Sequence, residues 1–121
     1  RLTNIPGSSD VLRGSVVSYA SEVKFDLLGV ANGPVVSESA AIEMAVGAKR
    51  VLGSSIGLAL TGVAGPAEQD GHKPGTLFVG LALPDGSTQS AMLQLPGNRD
   101  TMRQLSVISA LDMLRRAIRT L

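Results

Sequence analysis

Leu58-Ala59-Leu60-Thr61-Gly62-Val63-Ala64-Gly65-Pro66, followed by Gly75-Thr76 and then Leu77-Phe78-Val79-Gly80-Leu81-Ala82-Leu83, decides the fold of this chain. An aliphatic run stops at a threonine. Two glycines and a proline then carry the chain into a long polar loop, and a second aliphatic run follows. Short apolar runs bounded by turn residues read as buried strands. Strand, glycine-punctuated loop, strand is how α/β proteins build a crevice at the edge of a sheet, where exposed amides collect ligands. The loop is therefore the first place to look for a site.

Downstream of this stretch, Asp85-Gly86 is a strong hairpin turn. Ser87 to Leu95 then alternates polar and apolar residues, broken only at Met92 and Leu93, as an antiparallel strand with one wet face should. Asn98 caps a long final helix whose stripe reads Met102, Leu105, Ile108, Leu111, Leu114 or Arg115, Ile118 and Leu121. Upstream, Ile56 to Leu60 is the first buried strand. Before it, Ser37 caps a helix carrying Glu38 in its first turn and Lys49-Arg50 in its last, where the helix dipole favours each sign. Ser21 reads as the N-cap of an earlier helix through Leu28, stopped by Gly29. Gly14 to Tyr19, rich in β-branched residues, reads as a strand, and Ser8-Ser9-Asp10 as a short helical turn. Arg1 to Gly7 reads as the end of a helix entering a loop, so the chain is expected to begin inside its domain. Helices alternating with buried strands, then one hairpin, imply a layered α/β fold with a mixed, mainly parallel sheet, which an upstream strand and helix would complete to three layers, α/β/α. Residues 1–121 form one domain, with four of its strands in this chain and a first strand and helix expected upstream.

Composition narrows the function. The chain has 121 residues, enough for one core and too few for two ordinary ones. Two Phe, one Tyr and no Trp leave few platforms on which bases could stack, and a formal charge of +1 gives no electrostatic case for a polyanion. Direct nucleic-acid binding is not expected. With no cysteine there are no disulfides or thiolate metal sites, and a single histidine argues against zinc. No apolar run spans a bilayer and no secretory signal is visible, so the expected location is cytoplasmic. The final helix and the aliphatic strands could serve a homo-oligomer face or a monomer core equally well.

Three places could carry chemistry. Tyr19 is the only tyrosine, and Lys24 follows in the first turn of the next helix. A lysine there faces the positive end of the dipole, which disfavours its charge and lowers its pKa toward that of a general base. The plainer alternative is an exposed lysine paired with Glu22 or Asp26 beside a tyrosine that merely packs. The loop of Thr61, Gly62, Val63, Ala64 and Gly65 can offer amides to an oxyanion or a phosphate, or its glycines simply let the chain turn. It matches neither the phosphate-cradling nor the dinucleotide pattern. Arg99 opens the last helix, where a guanidinium and free amides could hold an anion together; pairing with Asp100 or Asp10 is the alternative. His72 reads as a solvated loop residue, and Arg115, Arg116 and Arg119 as cations complementing a helix C-terminus.

Three stretches taken together resemble one family. The first runs from Pro6-Gly7-Ser8-Ser9 through Val16-Val17-Ser18-Tyr19-Ala20-Ser21-Glu22-Val23-Lys24 to Leu27-Leu28-Gly29-Val30. The second runs from Val36-Ser37-Glu38 through Met44-Ala45 and Gly47-Ala48 to Leu60-Thr61-Gly62-Val63-Ala64-Gly65-Pro66 and Lys73-Pro74-Gly75-Thr76. The third is Pro96-Gly97-Asn98-Arg99-Asp100 and its helix. In this order they resemble the C-terminal domain of the competence/damage-inducible protein CinA, also found as a stand-alone nicotinamide-nucleotide amidase. The resemblance implies an α/β/α fold with a five-stranded mixed sheet. It also implies hydrolysis of nicotinamide mononucleotide to nicotinic acid mononucleotide and ammonia, with no metal or organic cofactor. A serine nucleophile would be assisted by a tyrosine and a lysine, at positions matched by Tyr19 and Lys24. Thr61 to Gly65 match the segment lining the nucleotide, and Arg99 matches a phosphate contact. The family's nucleophile sits in a Glu-Ser-Cys/Leu-Thr-Gly-Gly segment that does not occur in residues 1–121. Ser8, Ser9, Ser18 and Ser21 fall at other matched positions, so these residues alone are expected to be catalytically inactive. The alternative is a non-catalytic nucleotide-binding or protein-interaction module of a larger protein of this type.

Overall fold

A computed structural model describes residues 1–121. Two 3-10 turns, Leu2–Asn4 and Ser8–Asp10, precede a short helix α1 (Ser21–Asp26) and the long helix α2 (Glu38–Leu52). Strands β1 (Gly57–Gly62), β2 (Thr76–Ala82) and β3 (Thr88–Gln94) follow, and helix α3 (Arg99–Ile118) closes the chain. The strands form one sheet in the order β1-β2-β3, with α2 against one face and α3 against the other. The α/β layering expected from the sequence is present.

The expected mainly parallel sheet is corrected for these strands. Both pairings are antiparallel, with Ala59 opposite Gly80 and Val79 opposite Ala91. The reason lies in the connections. Parallel neighbours need a crossover, usually helical, but the chain returns from β1 to β2 through a loop and from β2 to β3 through a tight turn. In that turn Asp85 Oδ1 accepts from the amide and hydroxyl of Ser87 at 2.9 and 2.6 Å. Gly14 to Tyr19 does not become the expected fourth strand: its backbone pairs with no other strand. A β-branched sequence supplies the preference for extension, but a strand also needs an adjacent edge.

Alternation along β1 and β2 sorts the core into two halves. Ala59, Thr61, Phe78, Gly80 and Ala82 face α2, while Leu58, Leu60, Leu77, Val79 and Leu81 face α3. The α2 side is made of small residues. Ala40, Ala41, Ala45 and Gly47 of the helix are buried, and a Cβ added to Gly80 or Gly57 would run into the carbonyl oxygen of Ala41 or Ala45. Helix and sheet therefore touch backbone to backbone. At its ends α2 follows the sequence closely. Ser37 Oγ accepts from the amide of Ala40 at 3.1 Å, and Gly53 leaves the helix with a left-handed φ of 61°.

The α3 side is built from larger side chains. Asn98 caps the helix as expected, accepting from the Thr101 amide at 3.0 Å. Its buried stripe, however, runs through Met102, Ser106, Ala110 and Ala117, while Ile108 and Ile118 are each 48% exposed. The helix is rotated from the stripe of large apolar residues because small residues let it sit down on Leu77, Val79 and Leu81. The one polar member, Ser106, satisfies its hydroxyl on the Met102 carbonyl at 2.7 Å. The first helix also differs from expectation. Ser21 lies inside α1 rather than capping it, Ala20 holds the cap position without a side-chain bond, and the helix ends at Asp26.

Candidate functional site

The loop between β1 and β2 is fastened at both ends and in the middle. At its base the Val63 amide donates to the Thr76 carbonyl at 2.9 Å and the Gly75 amide to the Val63 carbonyl at 2.8 Å, prolonging the β1–β2 ladder beyond the strands. Thr61 is buried, and its hydroxyl donates to the Val35 carbonyl at 2.7 Å. What Thr61 offers the crevice is thus a fixed backbone, since its hydroxyl is already committed. In the middle of the loop, Asp70 Oδ2 accepts from the amides of Val35 and Val36, both at 3.0 Å. On the far side, Gln94 Nε2 donates to the Pro74 carbonyl at 2.8 Å.

Within Thr61–Gly65, the amides of Ala64 and Gly65 donate to no protein group. Beside them lies Arg99, in the first turn of α3, whose Nη1 donates to the Gly65 carbonyl at 3.0 Å. Neither Asp100 nor Asp10 forms an ion pair with it. A guanidinium has five N–H donors, so this bond fixes Arg99 against the loop and leaves most of its donors for another partner. Two free amides and an anchored cation make a spot suited to an anion. The sequence placed Arg99 at a helix start. It carried no sign of the contact with Gly65, which depends on the sheet bringing the end of β1 beneath the start of α3.

Lys24 and Tyr19 occupy a second region. Lys24 Nζ donates to the Ser18 carbonyl at 2.7 Å, and partial burial lowers its pKa from the ordinary lysine value. The direction matches the sequence reading, and the cause is lost hydration. With α1 only six residues long, Lys24 lies in its last turn as much as its first, and the amine reaches back past the N-terminus. Neither Glu22 nor Asp26 pairs with it. The Tyr19 ring is 88% exposed, and no hydrogen bond joins its phenol to Lys24. No serine or threonine hydroxyl bonds to Lys24 either; its partner is a backbone carbonyl.

The two regions meet through the core. Phe25, next to Lys24, packs against the cluster of Val35, Val36, Ala41, Val63 and Phe78. The same aromatic side chain therefore seats α1 and the base of the loop. His72, expected in solvent, is half-buried with its ring edge-on to Phe78, the centroids 5.2 Å apart. Asp70, which sequence reasoning missed, had one local signal: the Asp70-Gly71 pair, a turn dipeptide inside a polar loop. No three His, Asp or Glu side chains come together where a metal ion could be held, and no helix is long and apolar enough to cross a membrane. The C-terminal arginines differ slightly from expectation, since Arg115 and Arg116 both pair with Asp112, at 2.7 and 2.9 Å.

Comparison with known proteins places this geometry. The family model of the CinA C-terminal domain matches residues 1–118. The chain is 48% identical over 123 residues to a CinA-like protein of Frankia casuarinae, covering 98% of this chain and 28% of that protein. It is 42% identical over 121 residues to a CinA-like protein of Fervidobacterium nodosum, covering 95% and 29%. It thus spans under a third of the length of these curated relatives. Among solved structures, competence damage-inducible protein A of Klebsiella pneumoniae superposes with a TM-score of 0.91 at 26% identity, over 97% of this chain and 76% of that one. A competence/damage inducible protein of Agrobacterium tumefaciens does so with a TM-score of 0.86 at 30% identity, over 94% and 73%.

Proposed function

The chain belongs to the CinA C-terminal domain family, and from that membership we propose that it is the amide-hydrolysing domain of a nicotinamide-nucleotide amidase. The substrate is nicotinamide mononucleotide, and water converts it to nicotinic acid mononucleotide and ammonia. The observation that carries this reading is the Lys24 amine, part-buried and with a lowered pKa, held one residue from Tyr19 at the Ser18 carbonyl. A lysine partly stripped of water gives up its proton more readily than a solvated one, which suits it to act as a base.

In the proposed reaction a serine hydroxyl attacks the carboxamide carbon while Lys24, directly or through Tyr19, takes its proton. In the family that serine sits in a Glu-Ser-x-Thr-Gly-Gly segment, which residues 1–121 do not contain. The tetrahedral adduct collapses by breaking the C–N bond, and the proton on Lys24 leaves with ammonia. Water then hydrolyses the acyl-serine. The free amides of Ala64 and Gly65 and the guanidinium of Arg99 take the 5′-phosphate, so binding energy far from the amide positions it for attack.

One observation favours a second reading, a nucleotide-binding module without catalysis. Lys24 is bonded to a backbone carbonyl and to no hydroxyl. The deciding experiment assays the protein that carries this domain for ammonia release from nicotinamide mononucleotide. Release that disappears in Lys24→Met while the nucleotide still binds supports the amidase. Binding with no release in the unaltered protein supports the module.

A further inference from the structure

We propose that Asp70 is a positioning residue of this site: its carboxylate fixes the anion-binding end of the loop by holding the backbone that leads into α2. The inference rests on the nucleotide reading above for its ligand, and on geometry for the rest. Gln69 and His72 exchange two backbone hydrogen bonds, at 3.1 and 2.8 Å, closing a tight turn with Asp70 and Gly71 at its tip. Both tip residues have positive φ, 51° and 79°, as a two-residue hairpin turn requires. The turn aims the Asp70 carboxylate away from its own loop and onto residues 35 and 34 positions earlier.

Those targets have no other partner. Val35 and Val36 are buried, and neither amide meets a backbone carbonyl. One carboxylate oxygen satisfies both, in bonds strengthened by its charge. Val35 in turn accepts the Thr61 hydroxyl through its carbonyl. Thr61, Val35, Asp70 and the paired bases of the loop at Val63 and Gly75 thus close a ring of bonds. Ala64 and Gly65, whose amides are free, sit on this ring. Cutting it at Asp70 frees the Val35 and Val36 amides and leaves the Thr61 hydroxyl as the remaining hydrogen bond to the α2 entry, while Lys24 keeps its own bond to the Ser18 carbonyl. Lys24 takes no hydrogen bond from this ring, so the effect of Asp70 falls mainly on nucleotide binding.

The test uses the protein carrying this domain, with Asp70→Gly and Asp70→Asn. Glycine accepts the left-handed backbone and removes the carboxylate; asparagine also tolerates that backbone and keeps an acceptor oxygen. Asp70→Gly is expected to speed hydrogen exchange at the Val35 and Val36 amides by about tenfold or more, and to raise KM for nicotinamide mononucleotide by about tenfold, the worth of one charge-assisted bond. The turnover number should stay within about twofold, and Asp70→Asn should recover most of the loss. Unchanged exchange overturns the proposal. So does a loss confined to the turnover number, or an asparagine variant as impaired as glycine. If the unaltered protein binds the nucleotide but releases no ammonia, the amidase reading falls; Asp70 is then judged by exchange and by the dissociation constant for the same nucleotide. If the unaltered protein does not bind it, the proposal fails with its ligand.

Discussion

The loop from Val63 to Gly75 and the stretch from Gly14 to Tyr19 carry the two halves of the proposed chemistry, and they are built in opposite ways. The loop has no regular strand or helix, yet side chains from α3 and β3 hold it, and its own Asp70 reaches the backbone amides at the entry to α2. The extended stretch has the sequence of a strand, yet it pairs with none; Val17 and Tyr19 are exposed, and Val16 alone ties it to the core. Fastening here does not follow secondary structure. Hydrogen bonds from distant side chains are concentrated where the nucleotide is proposed to bind, not in the stretch that leads to the proposed base.

The sharpest way to test that contrast is Lys24→Met. Removing the proposed general base should slow the chemical step by about a hundredfold to ten-thousandfold and leave nucleotide affinity within about threefold, read by single-turnover kinetics and equilibrium binding. A loss of affinity instead would move Lys24 into the binding half. Next in size is Gly80→Ala. Its methyl meets the Ala41 carbonyl, and overpacking of this kind costs about 1–3 kcal/mol, measurable by denaturant unfolding with the slope unchanged. Thr61→Val cuts one fastening of the rigid region and leaves the Val35 carbonyl without its hydroxyl partner. It should cost about 1 kcal/mol in stability and weaken nucleotide binding without altering the pH profile of the rate.

A smaller effect separates the two halves by pH. Burial lowers the Lys24 pKa, so the folded chain gives up this proton at a lower pH than the unfolded chain does. The unfolded state then binds more protons across that window. Lys24 therefore adds to stability as pH climbs from its folded pKa toward its unfolded one, and that gain is absent below the window. The rate should rise through the same folded pKa as the neutral base accumulates, and Lys24→Met should remove the rising limb. Smallest of all is Asp112→Asn. The Arg115 hydrogen bond keeps the Asp112 carboxyl below its ordinary range, but the pair is solvent-exposed and screened. Thermal melts should be indistinguishable.

The parts of this architecture legible in the sequence are those that depend on neighbours along the chain. Ser37 and Asn98 cap their helices through a bond three residues on, and Asp85-Gly86 turns the chain within four. Thr61 to Gly65 stood out because glycines interrupt an aliphatic run. What could not be read depends on partners distant in sequence. The antiparallel sense of β1 and β2 is set by a loop that folds back rather than crossing over. The buried face of α3 follows Ser106 and Ala110 instead of Ile108, because close approach to β2 rewards small volume over apolarity. Asp70 and Val35 are 35 residues apart, and nothing local to either announces the other. The place of Lys24 near a helix start is legible in its neighbours, but the burial that lowers its pKa is not.

The contact of α2 on the sheet has a mechanical corollary. Where a helix rests on strands through carbonyl oxygens and α-carbons, no side chains remain between them to swing aside. Ala41, Ala45, Gly57 and Gly80 leave that junction neither slack nor travel. Helix α2 and strands β1 and β2 must then shift as a unit, so accommodation of an incoming molecule is left to the loop in front of them and to the short helix beside it.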